Sequence, residues 1–255
     1  GGRYVEEKGA QRWYGVDPMT EKNFDQTPFM YVANNPILFI DPDGLDYGVY
    51  FDKKNKTITI KATYYTSNAN KPSADLAASS WNNLSGNYSY KVGKGDDAIN
   101  YQVNFELTVV EVPTDPNLGE NRSVNQAFAN DKSGEANVYN LVADSDLGSN
   151  TNGVTRGGNF IRVKNSKSKD ATGSHEIGHT LGLTHSSKGL MTDSESDKHR
   201  TNLPNKRDIK EMIKTPLKGK VASELVNGKL AKAGKGHVSN MTSSTNKELS
   251  KGKVE

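Results

Sequence analysis

Three of the chain's five histidines fall in the stretch HEIGHTLGLTH, from His175 to His185. His175 and His179 are four residues apart, a spacing that on a helix points both side chains the same way, about one turn apart. Two imidazoles so placed can share one zinc ion at bond lengths of about 2.0 to 2.1 Å. Gly182 stands where such a helix can stop, because glycine takes the left-handed conformation at little cost. A turn there swings His185 back as the third ligand. Three nitrogen ligands leave the fourth tetrahedral position open, which a catalytic zinc requires, whereas a structural zinc is normally closed by four protein ligands. The chain has no cysteine, and the remaining histidines, His199 and His237, stand in polar surroundings, so closing the site would fall to a carboxylate.

Glu176 follows the first ligand directly and can hydrogen-bond a metal-held water without being a ligand itself. Zinc lowers the pKa of such a water from 15.7 to about 7, so a neighbouring carboxylate can act as general base near neutral pH. The expected reaction is hydrolysis of a peptide bond, with Glu176 passing the proton to the leaving amine. The alternative is a zinc-stabilised peptide-binding module without turnover. At this chain's own His, Glu and Gly frequencies, the pattern His-Glu-x-x-His-x-x-Gly-x-x-His arises by chance on the order of 10⁻⁵ times in a chain this long.

Several elements must position these residues. Asp170 is the expected N-cap of the histidine helix, with Ile177 and Leu181 as an apolar pair on its other face. Upstream, YGVYFDKKNKTITIKATYYT alternates apolar and polar residues and predicts a strand near 57–65. SADLAASSWNNLSG then predicts a helix capped by Ser73, with Ala74, Leu76, Ala77 and Trp81 at helical spacing and Gly86 beyond its end. Strand signals return in YSYKV, INYQVNFELTVVEV, ANVYNLVA and GNFIRVKN, the last two separated by a long loop, DSDLGSNTNGVTRGG. That loop reads as plain turns, with calcium binding left open by its closely spaced oxygen donors. Strands with one early helix before the histidine helix predict a mixed α/β sheet backed by helices. ANVYNLVA is the expected edge, where an extended peptide substrate could add by backbone pairing. In LPNKRDIKEMI, Asn205 is the expected cap of a C-terminal helix with Ile209, Met212 and Ile213 as its packing stripe.

The extended histidine motif resembles that of the metzincin zinc metalloproteases, which add a downstream methionine turn. SKGLMT supplies Met191, which the resemblance makes an apolar floor beneath the zinc. Ser186, directly after the third histidine, makes the matrixin-like branch the nearest. However, the gap to Met191 is shorter than in matrixins, and no Tyr follows the Met as in astacins. The resemblance implies a mixed five-stranded sheet with an active-site helix and a C-terminal helix over residues 46–216.

Residues 1–45 differ in character, with turn signals set between short aromatic and aliphatic runs. They resemble the end of a rearrangement-hotspot (RHS) repeat-associated core, a β-cage around a variable C-terminal cargo. The matching positions are Asp17-Pro18, Glu21-Lys22, Pro28, Tyr31, Asn34-Asn35-Pro36 and Asp41-Pro42-Asp43-Gly44. In that family the core can cut itself after a leucine, here Leu45, although Thr20 stands where self-cleaving members have Gly. The resemblance implies an effector or toxin, secreted or delivered to another cell, that acts on protein or peptide, with an immunity protein as a further partner.

Composition sets the remaining bounds. The apolar fraction of 33% and mean hydropathy of −0.76 predict that part of the chain does not pack. No run of about 18 apolar residues occurs, so no membrane-spanning helix is expected. The opening GGRYVEEKGA, without Met or an apolar leader, is expected to belong to something larger. Residues 215–255 hold eight Lys and three Glu, a charge of +5, so the formal total of +3 leaves −2 for residues 1–214. The segment 217–255 is therefore expected to be a flexible basic tail. It lacks aromatics and Arg, so a nucleic-acid partner is not expected, and the chain is expected to act as a monomer.

Overall fold

The computed structural model describes residues 4–7, 10–13, 46–193, 198–220, 222–226, 229–238 and 243–255. The chain divides into two units, Gly1–Pro42 and Asp43–Glu255. In the first, β1 (Tyr4–Glu7) and β2 (Ala10–Trp13) form an antiparallel hairpin with Tyr4 opposite Trp13. The turn positions from Asp17 to Gly44 and the candidate cleavage position Leu45 lie outside the described residues.

The second unit is mixed α/β. Its order is β3 (Tyr47–Asp52), β4 (Thr57–Thr66), α1 (Lys71–Asn82), β5 (Tyr88–Val92), β6 (Ile99–Glu111), α2 (Glu120–Asn130), β7 (Ala136–Val142), β8 (Gly153–Arg156), β9 (Phe160–Lys164), α3 (Thr172–Thr180), α4 (Lys206–Leu217), β10 (Ser223–Val226), β11 (Lys229–Lys232), β12 (Gly236–Val238), α5 (Ser243–Leu249) and β13 (Lys253–Val254).

Pairing on both edges makes β4 the centre of the sheet, and alternation sets its faces. Its residues Ile58, Ile60, Ala62, Tyr64 and Thr66 are buried on one face, as a period of two requires. One edge of β4 pairs with parallel β6, and the other is shared by antiparallel β3 and parallel β7. Beyond β7 lie parallel β9 and then antiparallel β8, which ends the sheet on that side among the described residues. Val138 and Tyr139, neighbours on β7, face opposite ways. Val138 packs with Phe128 of α2, while Tyr139 joins the main core, its hydroxyl 2.8 Å from Ser73 Oγ of α1. Trp81 of α1 is fully buried and donates to the Ser174 carbonyl of α3 at 2.9 Å, so α1 backs the histidine helix.

Several sequence expectations change. Among the described residues the sheet has nine strands, not five: β6-β4-β7-β9-β8 form a contiguous five-stranded mixed sheet, which β3, β5, β12 and β13 extend. ANVYNLVA is an interior strand, because β4 pairs with it on one side and β9 on the other; its two faces pack on separate clusters. The strand that ends the sheet on the β9 side, among the described residues, is β8, inside the segment expected to be a loop. Its four residues are too few and too Gly-flanked to show a period. Helix α1 starts at Lys71, with Asn70 rather than Ser73 at the cap position and Pro72 in its first turn. Helix α2, polar and unforeseen, buries only Ser123, Val124 and Phe128.

The expected flexible tail is also corrected, for its described residues. Parallel β12 extends β3, antiparallel β13 extends β5, and β10 pairs with β11. Side chains of Lys, Gly and Ser do not predict order, but backbone N–H and C=O groups do not need them. A polar segment can pair with an open strand edge as well as an apolar one. Ala233 and Leu249 are buried at the points where the tail meets the core.

Candidate metal centre

Helix α3 is set by its two ends. At the start, Thr172 N–H donates to Asp170 Oδ1 at 2.8 Å, although Ala171 and not Asp170 occupies the cap position. At the finish, Gly182 N–H donates to the His179 carbonyl at 3.1 Å and Leu183 N–H to the Gly178 carbonyl at 3.0 Å. These two bonds and the Gly182 φ of +81° form a Schellman turn, the left-handed stop expected of the glycine. A Cβ at 182 would also stand 2.6 Å from the Tyr47 hydroxyl, so the position is closed to other residues twice over.

The turn brings the third histidine home. His175, His179 and His185 present ligand atoms that all lie within 4.8 Å of one another, close enough to hold a metal ion. His175 Nε2 and His179 Nε2 are 3.2 Å apart. Two nitrogens on a tetrahedral ion at about 2.0 to 2.1 Å would be about 3.3 to 3.4 Å apart, so the pair fits zinc with little adjustment. The His185 ring lies 5.3 Å from that of His175 and 4.8 Å from that of His179, between centroids.

Each of the helical imidazoles is oriented through its other nitrogen. His175 Nδ1 is 2.8 Å from the Leu190 carbonyl, and His179 Nδ1 is 2.8 Å from the Leu183 carbonyl. A carbonyl can only accept, so both Nδ1 atoms carry the proton and both Nε2 lone pairs face the shared centre. Burial lowers the pKa of His175 well below its usual value and that of His179 to about 4, which keeps both rings neutral and able to ligate.

Met191 is fully buried against α3. A Cβ at residue 178 would overlap its sulfur, so Gly178 is what allows the methionine this close.

Glu176 is 4% exposed, and its burial pushes the carboxyl pKa up to about 7 against the lowering effects of Thr155 and Arg200. Thr155 of β8 places its hydroxyl 2.8 Å from Oε2 and 3.0 Å from the Glu176 backbone carbonyl. Gly153 leaves room on the same strand, since a Cβ there would be 2.7 Å from Oε1. The strand at the sheet's end therefore holds the carboxylate beside the helix.

Two further carboxylates meet His185. Glu224 of β10 takes the ring Nδ1 at 2.9 Å, and Asp193 Oδ1 lies 3.4 Å from Nε2. Sequence reasoning missed Thr155, Asp193 and Glu224, because none has a telling spacing from the histidines. His199 and His237 do not join the cluster, and the Asp/Asn/Gly loop at 144–153 forms no second one among the described residues. Nor does any helix of the described residues have the length and apolarity to cross a membrane. Comparison of the chain with protein families, curated proteins and solved structures finds no match.

Proposed function

We propose that this chain is a zinc-dependent endopeptidase, in which His175, His179 and His185 hold the metal and Glu176 is the general base. The observation that carries the reading is the convergence of three imidazoles, together with the buried carboxylate of Glu176, next to His175 on the same helix, which Thr155 of β8 holds in place. Zinc bound there would supply a Lewis acid and a water of lowered pKa. Glu176 would take the proton of the attacking water and return it to the leaving amine. Thr155 keeps the carboxylate oriented for both transfers. Among the described residues no strand pairs with the outer side of β8, which offers an extended peptide a strand to pair with, in place of the β7 edge expected from sequence.

The metzincin resemblance draws support from the contiguous five strands β6-β4-β7-β9-β8, four of them parallel with the end one reversed, and from Met191 packed under α3. In the same reading the domain is the C-terminal cargo of an exported RHS-type protein, an effector or toxin acting outside its own cell. This part rests on the sequence motifs between Asp17 and Gly44 alone.

One observation bears on the module without turnover: Asp193 Oδ1 lies 3.4 Å from His185 Nε2, and a carboxylate that moved from there onto the ion would close the site. Glu176→Gln separates the two. As an endopeptidase, the zinc-loaded variant keeps its metal and loses proteolysis by about 10² to 10⁴-fold. A zinc-loaded wild-type chain that cuts nothing in a proteome-derived peptide library, read by mass spectrometry, would leave the binding module standing.

A further inference from the structure

The Glu224 carboxylate meets both hydrogen-bond donors that His185 turns toward it. The His185 backbone N–H donates to Oε2 at 2.9 Å, and the ring Nδ1 lies 2.9 Å from Oε1. The anchors of His175 and His179 are backbone carbonyls within the stretch 175–191, close to the ligands in sequence. The anchor of His185 comes from 39 residues farther along, on β10. His185 needs such an anchor more than the others do, since residues 183–186 belong to no helix or strand and nothing periodic aims the ring.

A carboxylate at Nδ1 keeps the proton on that nitrogen and turns the Nε2 lone pair toward the other two imidazoles. The same tail grips α3 at a second point. Gly234 N–H donates to the His179 carbonyl at 2.7 Å, and a Cβ at 234 would overlap the Thr180 carbonyl. Only a glycine lets the tail backbone lie this close to the end of the histidine helix.

Building on the metal-centre reading above, we propose that Glu224 is a positioning residue for the third ligand, which makes the C-terminal segment part of the metal site. The contacts of Glu224 reach one ligand residue and those of Gly234 reach another, so the segment holds both halves of the triad together.

The test is a zinc titration of the full chain against a chromophoric chelator, for wild type, Glu224→Gln, Glu224→Asp and His185→Ala. The two donors of His185 meet different oxygens of Glu224, and a glutamine puts an NH2, itself a donor, in place of one of them. Glu224→Gln is expected to bind zinc roughly 10 to 100-fold more weakly, with a changed visible spectrum of the cobalt-substituted protein and a metal-free melting temperature near that of wild type. Glu224→Asp, which keeps the charge, is expected to fall between the two, and it carries the comparison if the Gln variant does not fold. Wild-type affinity and an unchanged cobalt spectrum in both variants would overturn the role of Glu224 while leaving the metal centre intact. A wild-type chain that takes up no zinc would instead overturn the metal centre itself.

Discussion

Thr155 Oγ1 lies 2.8 Å from Glu176 Oε2 and so ties β8 to the helix that carries two of the three imidazoles. The acceptor is buried, and removing the hydroxyl takes a hydrogen bond from a carboxylate that burial already disfavours. Thr155→Val, nearly the same shape, is expected to destabilise the fold by about 1 to 3 kcal/mol in chemical denaturation. It should also lower kcat/KM about tenfold with the zinc content unchanged. Wild-type stability in this variant would show that the contact does not matter.

Gly182→Ala tests the turn. The left-handed φ of +81° and the Tyr47 hydroxyl both oppose a side chain there. The expected cost is about 1 to 3 kcal/mol. Zinc affinity should fall with it, because His185 is placed by this turn, and a calorimetric titration reads both the binding constant and the stoichiometry.

If the three histidines hold zinc, as proposed, chelation should uncover its contribution to folding. With zinc at about a thousand times its dissociation constant, the linkage is about 4 kcal/mol, or on the order of 10 °C in Tm for a domain of this size. Chelation is expected to lower Tm by that order, reversibly on zinc addition. An unchanged melting curve would mean the histidines hold no ion.

Asp208 gives the stability a pH dependence of known sign. It completes the capping box of α4 by accepting from Asn205 N–H at 2.9 Å, and burial, its largest cause, raises its pKa from 3.8 to about 6. In that window the folded chain keeps a proton that the unfolded chain releases, so Asp208 makes stability fall as pH rises from about 4 to 6, after which the slope vanishes. Asp208→Asn retains an acceptor for the cap and cannot titrate. The stability difference between wild type and variant should change across pH 4 to 6 and be flat above it. A flat difference throughout would place the pKa elsewhere.

Truncation at residue 217 distinguishes a packed tail from a solvated one. It removes β12 from β3, β13 from β5 and the Gly234 donor from the His179 carbonyl. The shortened chain is expected to melt lower and to exchange the β3 amides faster, by hydrogen exchange read per residue. Unchanged protection in β3 would return the tail to solvent.

Much was legible in the residue pattern because it depends on near neighbours. The i, i+4 histidines, the glycine three residues on, the alternation of β4 and the Asn205 cap with its stripe Ile209, Met212 and Ile213 are local rules, and each appears where expected. What only the tertiary structure decided depends on segments distant in sequence. Which strand ends the sheet follows from pairing, and β7, apolar enough for an edge or a centre, became interior when β9 and β4 took both its sides. The partner of Glu176 came from a Gly-rich stretch with no period, and the anchor of His185 from a basic segment whose composition argued for disorder. Backbone pairing and single polar contacts over such separations leave no spacing signal, because the chain between them is free to take any length.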